Sequence, residues 1–336
     1  MIAQLDMDYI RTRPYKAASR LASYVLFQGR PLLGRWRWLN PLLFAQFNFV
    51  KRMPQLKKVE KPLYIVGIGR SGTTIMGKIL SMHSHINFLN EPKALWHAIY
   101  PEEDVIGSYS RGLAHYRLGA EDVTPQVRRA AHCLYGYCLA LTASKRILDK
   151  YPSFIFREYF LKAIFPDAKL IFLVRNGWDT IRSIVVWSER RGKKVGQEVY
   201  NWWGADRRKW RLLVEDIVAS DPMLARSYAE IAAFTRNEDM AAVEWVVTMQ
   251  QGLRLKQYMP DSIYQVRYEE LTAHPERTLK NLLAFCELPH DPTLLSYAQR
   301  VLASASSKKP LLLHPAVEGH FLETMQTLNY PVERKS

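Results

Sequence analysis

Three cysteines in 336 residues, Cys133, Cys138 and Cys286, are too few and too oddly spaced for a disulfide framework or a zinc site, and they fit a reducing compartment. No stretch approaches the ~20 uninterrupted apolar residues of a membrane-spanning helix. The N-terminus, MIAQLDMDYIRTRPYK, has acidic residues where a signal peptide would be basic and then apolar. A cytoplasmic protein is expected. Internal repeats and low-complexity tracts are also lacking. Acidic residues are scarce: 32 Asp and Glu face 47 Lys and Arg, for a formal charge of +15. The shortfall is concentrated at the start, where residues 1 to 62 hold twelve Lys/Arg and three Asp/Glu. Such an excess favours an anionic ligand, acceptor or lipid surface at long range. No aromatic-basic RNA motif or helix-turn-helix signal accompanies it, so nucleic acid is not an expected partner.

With 48% hydrophobic residues the chain can bury a substantial core. Residues 1–61 read as a basic amphipathic arm. Its segment KAASRLASYVLFQGRPLLGRWRWLNPLLFAQFNFV mixes Arg and Lys with Leu, Phe and Trp and is broken at Gly29-Arg30-Pro31 and Pro41. Packing against the domain is the favoured reading, and lying at the inner face of a membrane is the alternative. From Leu63 the pattern is α/β. Apolar strands at 63–68, 169–174 and 262–268 alternate with helical periodicity at about 72–83, 240–258 and 275–287, the last with proline at its start. Strands buried on both faces and joined by helices predict a P-loop-containing parallel β-sheet flanked by helices on both faces over 62–336. Residues 183–262 form a helical, aromatic-rich insertion over the strand ends, where acceptor selection is expected.

The segment PLYIVGIGRSGTTIMGKIL carries the chemistry. A β-branched run ends in Gly67-Ile-Gly69-Arg70-Ser71-Gly72-Thr73-Thr74 and passes into a helix. A glycine loop feeding a helix N-terminus offers backbone N–H groups and a positive dipole end to an anion. The pattern is close to G-x-x-x-x-G-K-[ST], but Thr73 stands where a nucleoside-triphosphate loop has its lysine. The only cation in the loop is Arg70, and the strand KLIFLV leads to Arg175 rather than to an acidic magnesium partner. The loop therefore suits an anion that needs no metal. Arg175 is followed eight positions later by Ser183, about two turns along one helix face, a pairing able to bind a second phosphate. Two anion sites on adjacent strand ends suggest a nucleotide phosphorylated at two positions.

On these residues the chain resembles the P-loop sulfotransferases, whose donor is 3′-phosphoadenosine 5′-phosphosulfate (PAPS). The resemblance runs from about Pro62 to the C-terminus with a gap in the middle. It implies that Arg70, Ser71, Gly72, Thr73 and Thr74 bind the 5′-phosphosulfate and that Arg175 and Ser183 bind the 3′-phosphate. Tyr268, in VRYEEL, would lie near the adenine. Glu91 in NFLNEPKALWH and Lys150 in DKYP stand at spacings that resemble the tyrosylprotein and carbohydrate branch, which implies catalytic roles for Glu91, Arg70 and Lys150. Sulfuryl transfer needs in-line geometry and stabilised oxygens, which Arg70, Lys150 and the loop amides can supply. It also needs a base for the acceptor hydroxyl, and Glu91 is the candidate.

Other readings of the same residues remain. Glu91 could be a surface carboxylate opening a helix before Pro92, and Lys150 a lysine at a helix C-terminus. His83, His85 and His97 are rival bases. The family's C-terminal phosphate contacts have no clean counterpart, with Ser306, Ser307 and Lys308 as candidates, and an arginine expected after Ser183 is missing, with Trp187 nearby. The expected activity is sulfuryl transfer from PAPS to the hydroxyl of a sugar, glycan or glycolipid, with protein tyrosine the nearest rival. A P-loop nucleotide kinase and a non-enzymatic basic protein on membranes or nucleic acid are the competing classes.

Overall fold

The computed structural model describes residues 2–29, 37–195, 198–303 and 310–332. Its strands are β1 (Leu63–Gly67), β2 (Ile86–Asn90), β3 (Arg146–Lys150), β4 (Lys169–Val174), β5 (Lys193–Val195), β6 (Glu198–Asn201), β7 (Gly204–Ala205) and β8 (Ile263–Arg267). Five of them form a sheet in the order β2-β3-β1-β4-β8. Every pairing in it is parallel, with Leu63 opposite Leu148 on one side of β1 and Lys169 on the other. The side-chain period of two divides β1 between two cores. Tyr64 and Val66 join the cluster that holds Trp96, Leu134 and Trp245, while Leu63 and Ile65 join the cluster that holds Met76, Leu279 and Leu294. Helices thus cover both faces, as the sequence pattern requires.

Three of the five strands are legible in the sequence, and two are not. β3 reads RILDK, with three charged residues in five, yet all five positions are buried. Arg146 donates to Lys61 O at 2.8 Å, and Asp149 accepts from Trp96 Nε1 at 2.8 Å and Tyr135 Oη at 2.6 Å. Burial pushes the Asp149 carboxyl up to about 7 despite these two donors. Lys150 accordingly ends a strand rather than a helix, and Glu91 stands between the end of β2 and the Pro92 cap of the helix Lys93–Ile99. The expected helices occur as Thr73–Ser81, Asn237–Tyr258 and Pro275–Phe285. The insertion is not helical throughout, because β5, β6 and β7 form a small antiparallel sheet between the helices Gly177–Arg191 and Arg208–Asp216.

The arm comprises α1 (Met7–Thr12), α2 (Pro14–Phe27) and α3 (Asn40–Val50); then come α4 (Thr73–Ser81), after β1, and α5 (Lys93–Ile99), after β2. The arm is packed on the domain. Tyr9 Oη meets Ser81 Oγ at 2.9 Å, and Arg13 pairs with Asp291 at 2.7 Å. No helix among the described residues is long and apolar enough to cross a membrane. Cys133, Cys138 and Cys286 are all buried and unpaired.

Candidate functional site

The carboxyl ends of β1, β2, β3, β4 and β8 lead into Ile68, Glu91, Tyr151, Arg175 and Tyr268, so the parallel topology gathers these segments on one edge of the sheet. The loop after β1 is held by its glycines. Gly72 caps α4 at φ 99°, and a Cβ there would lie 2.4 Å from the Tyr268 ring. A Cβ on Gly69 would lie 2.4 Å from the ring of Trp202. Ser71 is buried and donates its hydroxyl to Ile68 O at 2.6 Å, so its side chain braces the loop and only its backbone is left for a ligand. Arg70 has φ 71°, a left-handed conformation uncommon for a non-glycine residue. Its carbonyl accepts from Arg175 Nη1 at 3.1 Å and its Nε donates to Ser183 Oγ at 3.0 Å.

Arg70, Arg175 and Ser183 are thus neighbours. The Arg175 guanidinium lies 4.5 Å from the Tyr268 ring centroid, and its Nε is buried without a hydrogen-bond partner. Burial, then the nearby Arg175 and Arg191, lowers the pKa of the Arg70 guanidinium. Crowded cations with an unspent buried donor suit a phosphorylated ligand.

Glu91 also has a left-handed backbone, φ 48°, pinned where its N–H donates to Lys150 O at 2.9 Å and its carbonyl accepts from Lys93 N at 2.7 Å. Lys150 Nζ donates to Glu91 Oε1, and Lys93 Nζ lies 3.6 Å from Oε2. Burial would raise the Glu91 pKa, but Lys150 and Lys93 outweigh it and hold the carboxyl down at about 2. The side chain nonetheless keeps 36% of its surface accessible, because it lines a cavity rather than the core.

That cavity, of about 410 Å³, is lined by Gly67, Gly69, Arg70, Thr73 and Thr74 on one side and by Glu91, Lys93 and Lys150 beside them. The lining also includes Tyr116, Trp187, Asn201, Trp202, Lys209 and Glu244, with Gln4 from the arm. Glu244 accepts from Trp202 Nε1 at 2.7 Å and from Lys209 Nζ, and the Lys209 ammonium lies 4.5 Å from the Trp202 ring centroid. Burial lowers the Lys209 pKa and Glu244 opposes the shift, while burial and then Glu244 raise that of Tyr116. Arg175, Ser183 and Tyr268 do not line this cavity and form a separate group.

A family model described as the sulfotransferase family matches residues 62–292, more than half of the chain. The chain belongs to the sulfotransferase family. It is similar to the protein-tyrosine sulfotransferase of Drosophila melanogaster, 23% identical over 246 residues that cover 71% of this chain and 41% of that protein. It is also similar to the nodulation protein NoeE of Sinorhizobium fredii, 23% identical over 281 residues covering 79% and 59%. The match thus spans less than two thirds of either relative's length. Among solved structures, a sulfotransferase domain from the curacin biosynthetic pathway covers 82% of this chain and 100% of its own, at 16% identity and TM-score 0.47.

Within this sulfotransferase chain the sequence-derived candidates fall into two groups. Arg70, Thr73, Thr74, Glu91 and Lys150 share the cavity, while Arg175, Ser183 and Tyr268 sit around the other flank of the loop. The rival histidines stay outside the cavity. His83 is buried with Nε2 3.0 Å from Pro289 O, His85 packs edge-on against it, and His97 lies between Phe44 and Tyr109. Ser306, Ser307 and Lys308 lie outside the described residues. Of the insertion's tryptophans, Trp203, Trp210 and Trp245 are core, whereas Trp187 and Trp202 reach the cavity. Lys93, Lys209, Glu244, Tyr116 and Gln4 escaped sequence reasoning. Glu244 alone left a signal there, as a single acid within the apolar run MAAVEWVV.

Proposed function

We propose that this protein transfers a sulfuryl group from PAPS to an acceptor hydroxyl. The observation that carries the reading is the Glu91–Lys150 pair held beside the Arg70–Thr74 loop in one cavity. The 3′-phosphate would sit by Arg175 and Ser183, the adenine by Tyr268, and the phosphosulfate over the loop amides with Arg70, Thr73 and Thr74. Glu91 then removes the proton from the acceptor hydroxyl as its oxygen attacks sulfur. The bond from sulfur to the bridging phosphate oxygen breaks, leaving a sulfate ester, adenosine 3′,5′-bisphosphate and a protonated Glu91. Arg70 and Lys150 stabilise the leaving oxygens. While Lys150 clamps it, Glu91 is a weak base. An ammonium drawn from the carboxylate to the phosphosulfate restores basicity as the donor arrives.

We favour a sugar-type hydroxyl as acceptor. The rest of the lining offers the Trp202 indole, hydrogen-bonding groups on Asn201 and Tyr116, and a carboxylate and ammonium that neutralise each other, which suits a neutral polyhydroxylated ring. Protein tyrosine is the second reading, favoured by the named function of the Drosophila relative. Three unpaired buried cysteines support a cytoplasmic setting.

Thermal unfolding with adenosine 3′,5′-bisphosphate tests the donor. A stabilising shift that is the same with and without magnesium is expected, and stronger stabilisation by ATP with magnesium would sink the reading. Label transfer from PAPS to sugars, glycolipids and tyrosine peptides then ranks the acceptors.

A further inference from the structure

Helix α2 is built inside out. Its buried face carries Lys16, Arg20 and Ser23, whose polar atoms reach β2, an edge strand of the sheet. Lys16 Nζ donates to Ile86 O, Arg20 Nη1 to Phe88 O at 3.2 Å, and Ser23 Oγ to Asn87 Oδ1 at 2.8 Å. The cations satisfy carbonyls that a further strand would otherwise bond, and so protect the edge. The consequence is on the other side. Tyr15, Ala18, Leu21 and Val25 face outward, the reverse of an ordinary surface helix.

Helix α3 carries a second apolar stripe. It packs on α2 through Phe27 and Phe47, whose ring centroids are 6.4 Å apart, and exposes Leu42, Ala45 and Phe49 as one stripe, with Leu42 67% and Phe49 66% exposed. Met7 and Ile10 of α1 are exposed as well. Nine of the seventeen large hydrophobic side chains exposed among the described residues fall within the first 56. An apolar surface on this scale marks an interaction face.

The charge pattern says what covers it. From Tyr9 to Val59 the sequence contains no acidic residue and eleven Lys/Arg, of which Lys16 and Arg20 are spent on β2 and Arg13 on Asp291, while the exposed Asp8 of α1 faces Arg300. Arg11 and Arg52 are exposed beside the apolar stripes. A second copy docking through the same face would set these cations against their own kind. An anionic bilayer meets both features, taking the aliphatic and aromatic side chains at its acyl boundary and the arginines at its headgroups.

We propose that α1, α2 and α3 form a docking surface for an anionic lipid bilayer. The arm then packs on the domain and also faces lipid, through opposite sides of the same helices. Gln4, just before α1, lines the cavity, and β2 ends at Asn90, next to Glu91. Docking would therefore hold the cavity beside the bilayer, and a lipid-borne acceptor hydroxyl would follow if the sulfuryl-transfer reading holds. The docking itself does not depend on that reading.

The test is cosedimentation of the full chain with vesicles of phosphatidylcholine alone and of phosphatidylcholine mixed with phosphatidylglycerol. Binding is expected to the mixed vesicles and to weaken with salt. The double variant Leu21→Glu with Phe49→Glu should lower that binding roughly tenfold or more, with unchanged thermal unfolding because both sites are exposed. Arg11→Gln with Arg52→Gln should reduce the salt-sensitive part. Leu312→Glu, at an exposed leucine outside the arm, should bind as the parent does. Absence of binding to the mixed vesicles would overturn the proposal. So would equal loss in Leu312→Glu, or light scattering that finds a dimer split by the double variant.

Discussion

One set of polar groups lining the cavity comes from short stretches at strand ends, Arg70 to Thr74 after β1 and Lys150 at the end of β3, the end proposed for the donor. Another set, proposed for the acceptor, is Gln4, Tyr116, Trp202, Lys209 and Glu244, drawn from the arm, a loop, the turn between β6 and β7 and two different helices. The first arrangement is local. Its positions follow from the strand ends and from a backbone that only a few residues can adopt, as Gly72 at φ 99° and Arg70 at φ 71° illustrate. The second is assembled by tertiary pairing, and its central bond joins Lys209 to Glu244 across thirty-five positions of sequence. A lining made this way can be rebuilt without disturbing the loop, which is what the proposed division between acceptor and donor would require.

The largest expected effect lies where the two ends meet. Glu91→Gln should slow turnover by ~10²- to 10⁴-fold while calorimetry finds the affinity for adenosine 3′,5′-bisphosphate unaltered. Activity that survives intact would place the base elsewhere.

Next come paired variants, one for each end. Arg175→Ala should weaken bisphosphate binding by roughly 10- to 100-fold, through loss of a charged hydrogen bond, and leave the acceptor KM alone. Glu244→Gln should do the reverse, raising the acceptor KM by about tenfold with bisphosphate affinity unchanged. It also strands a buried ammonium, so unfolding in urea should show a loss of about 3 kcal/mol, which is read separately. If either variant moves both constants, the two ends are not independent and the comparison fails.

The smallest effect concerns pH. Lys93 helps Lys150 hold the Glu91 carboxyl at about 2 against an ordinary 4.5. A depressed carboxyl stabilises the fold above the ordinary value and loses that contribution as pH falls toward 2. Lys93→Ala should therefore shrink this acid-sensitive stability and shift the acid limb of kcat/KM to higher pH. A shift to lower pH would mean that another group governs the limb.

The legibility of the two ends differs for the same reason. Arg70 to Thr74, and Arg175 with Ser183, are readable because contiguous spacing on a strand-loop-helix unit dictates their geometry. Glu91 and Lys150 were reached through their resemblance to a family pattern, since β2 and β3 are short and RILDK hides a buried strand behind three charges. Lys209 stands in RRKW, which reads as a solvated basic run, and only the approach of Glu244 and Trp202 buries it. In the arm, the pattern of cations alone does not say which side is buried. Lys16 and Arg20 are the buried side of α2, bonded to the edge of the sheet.

By itself the sequence determined the parallel α/β core, the glycine loop without its lysine and the spacing of Arg175 and Ser183, because hydrophobic period and local backbone requirements act within a few residues. Tertiary structure alone decided which charges are buried, which tryptophans face the cavity and which side of the arm meets solvent. Those outcomes depend on partners distant in the chain, and a charged side chain is stable in the interior only where such a partner is brought to it.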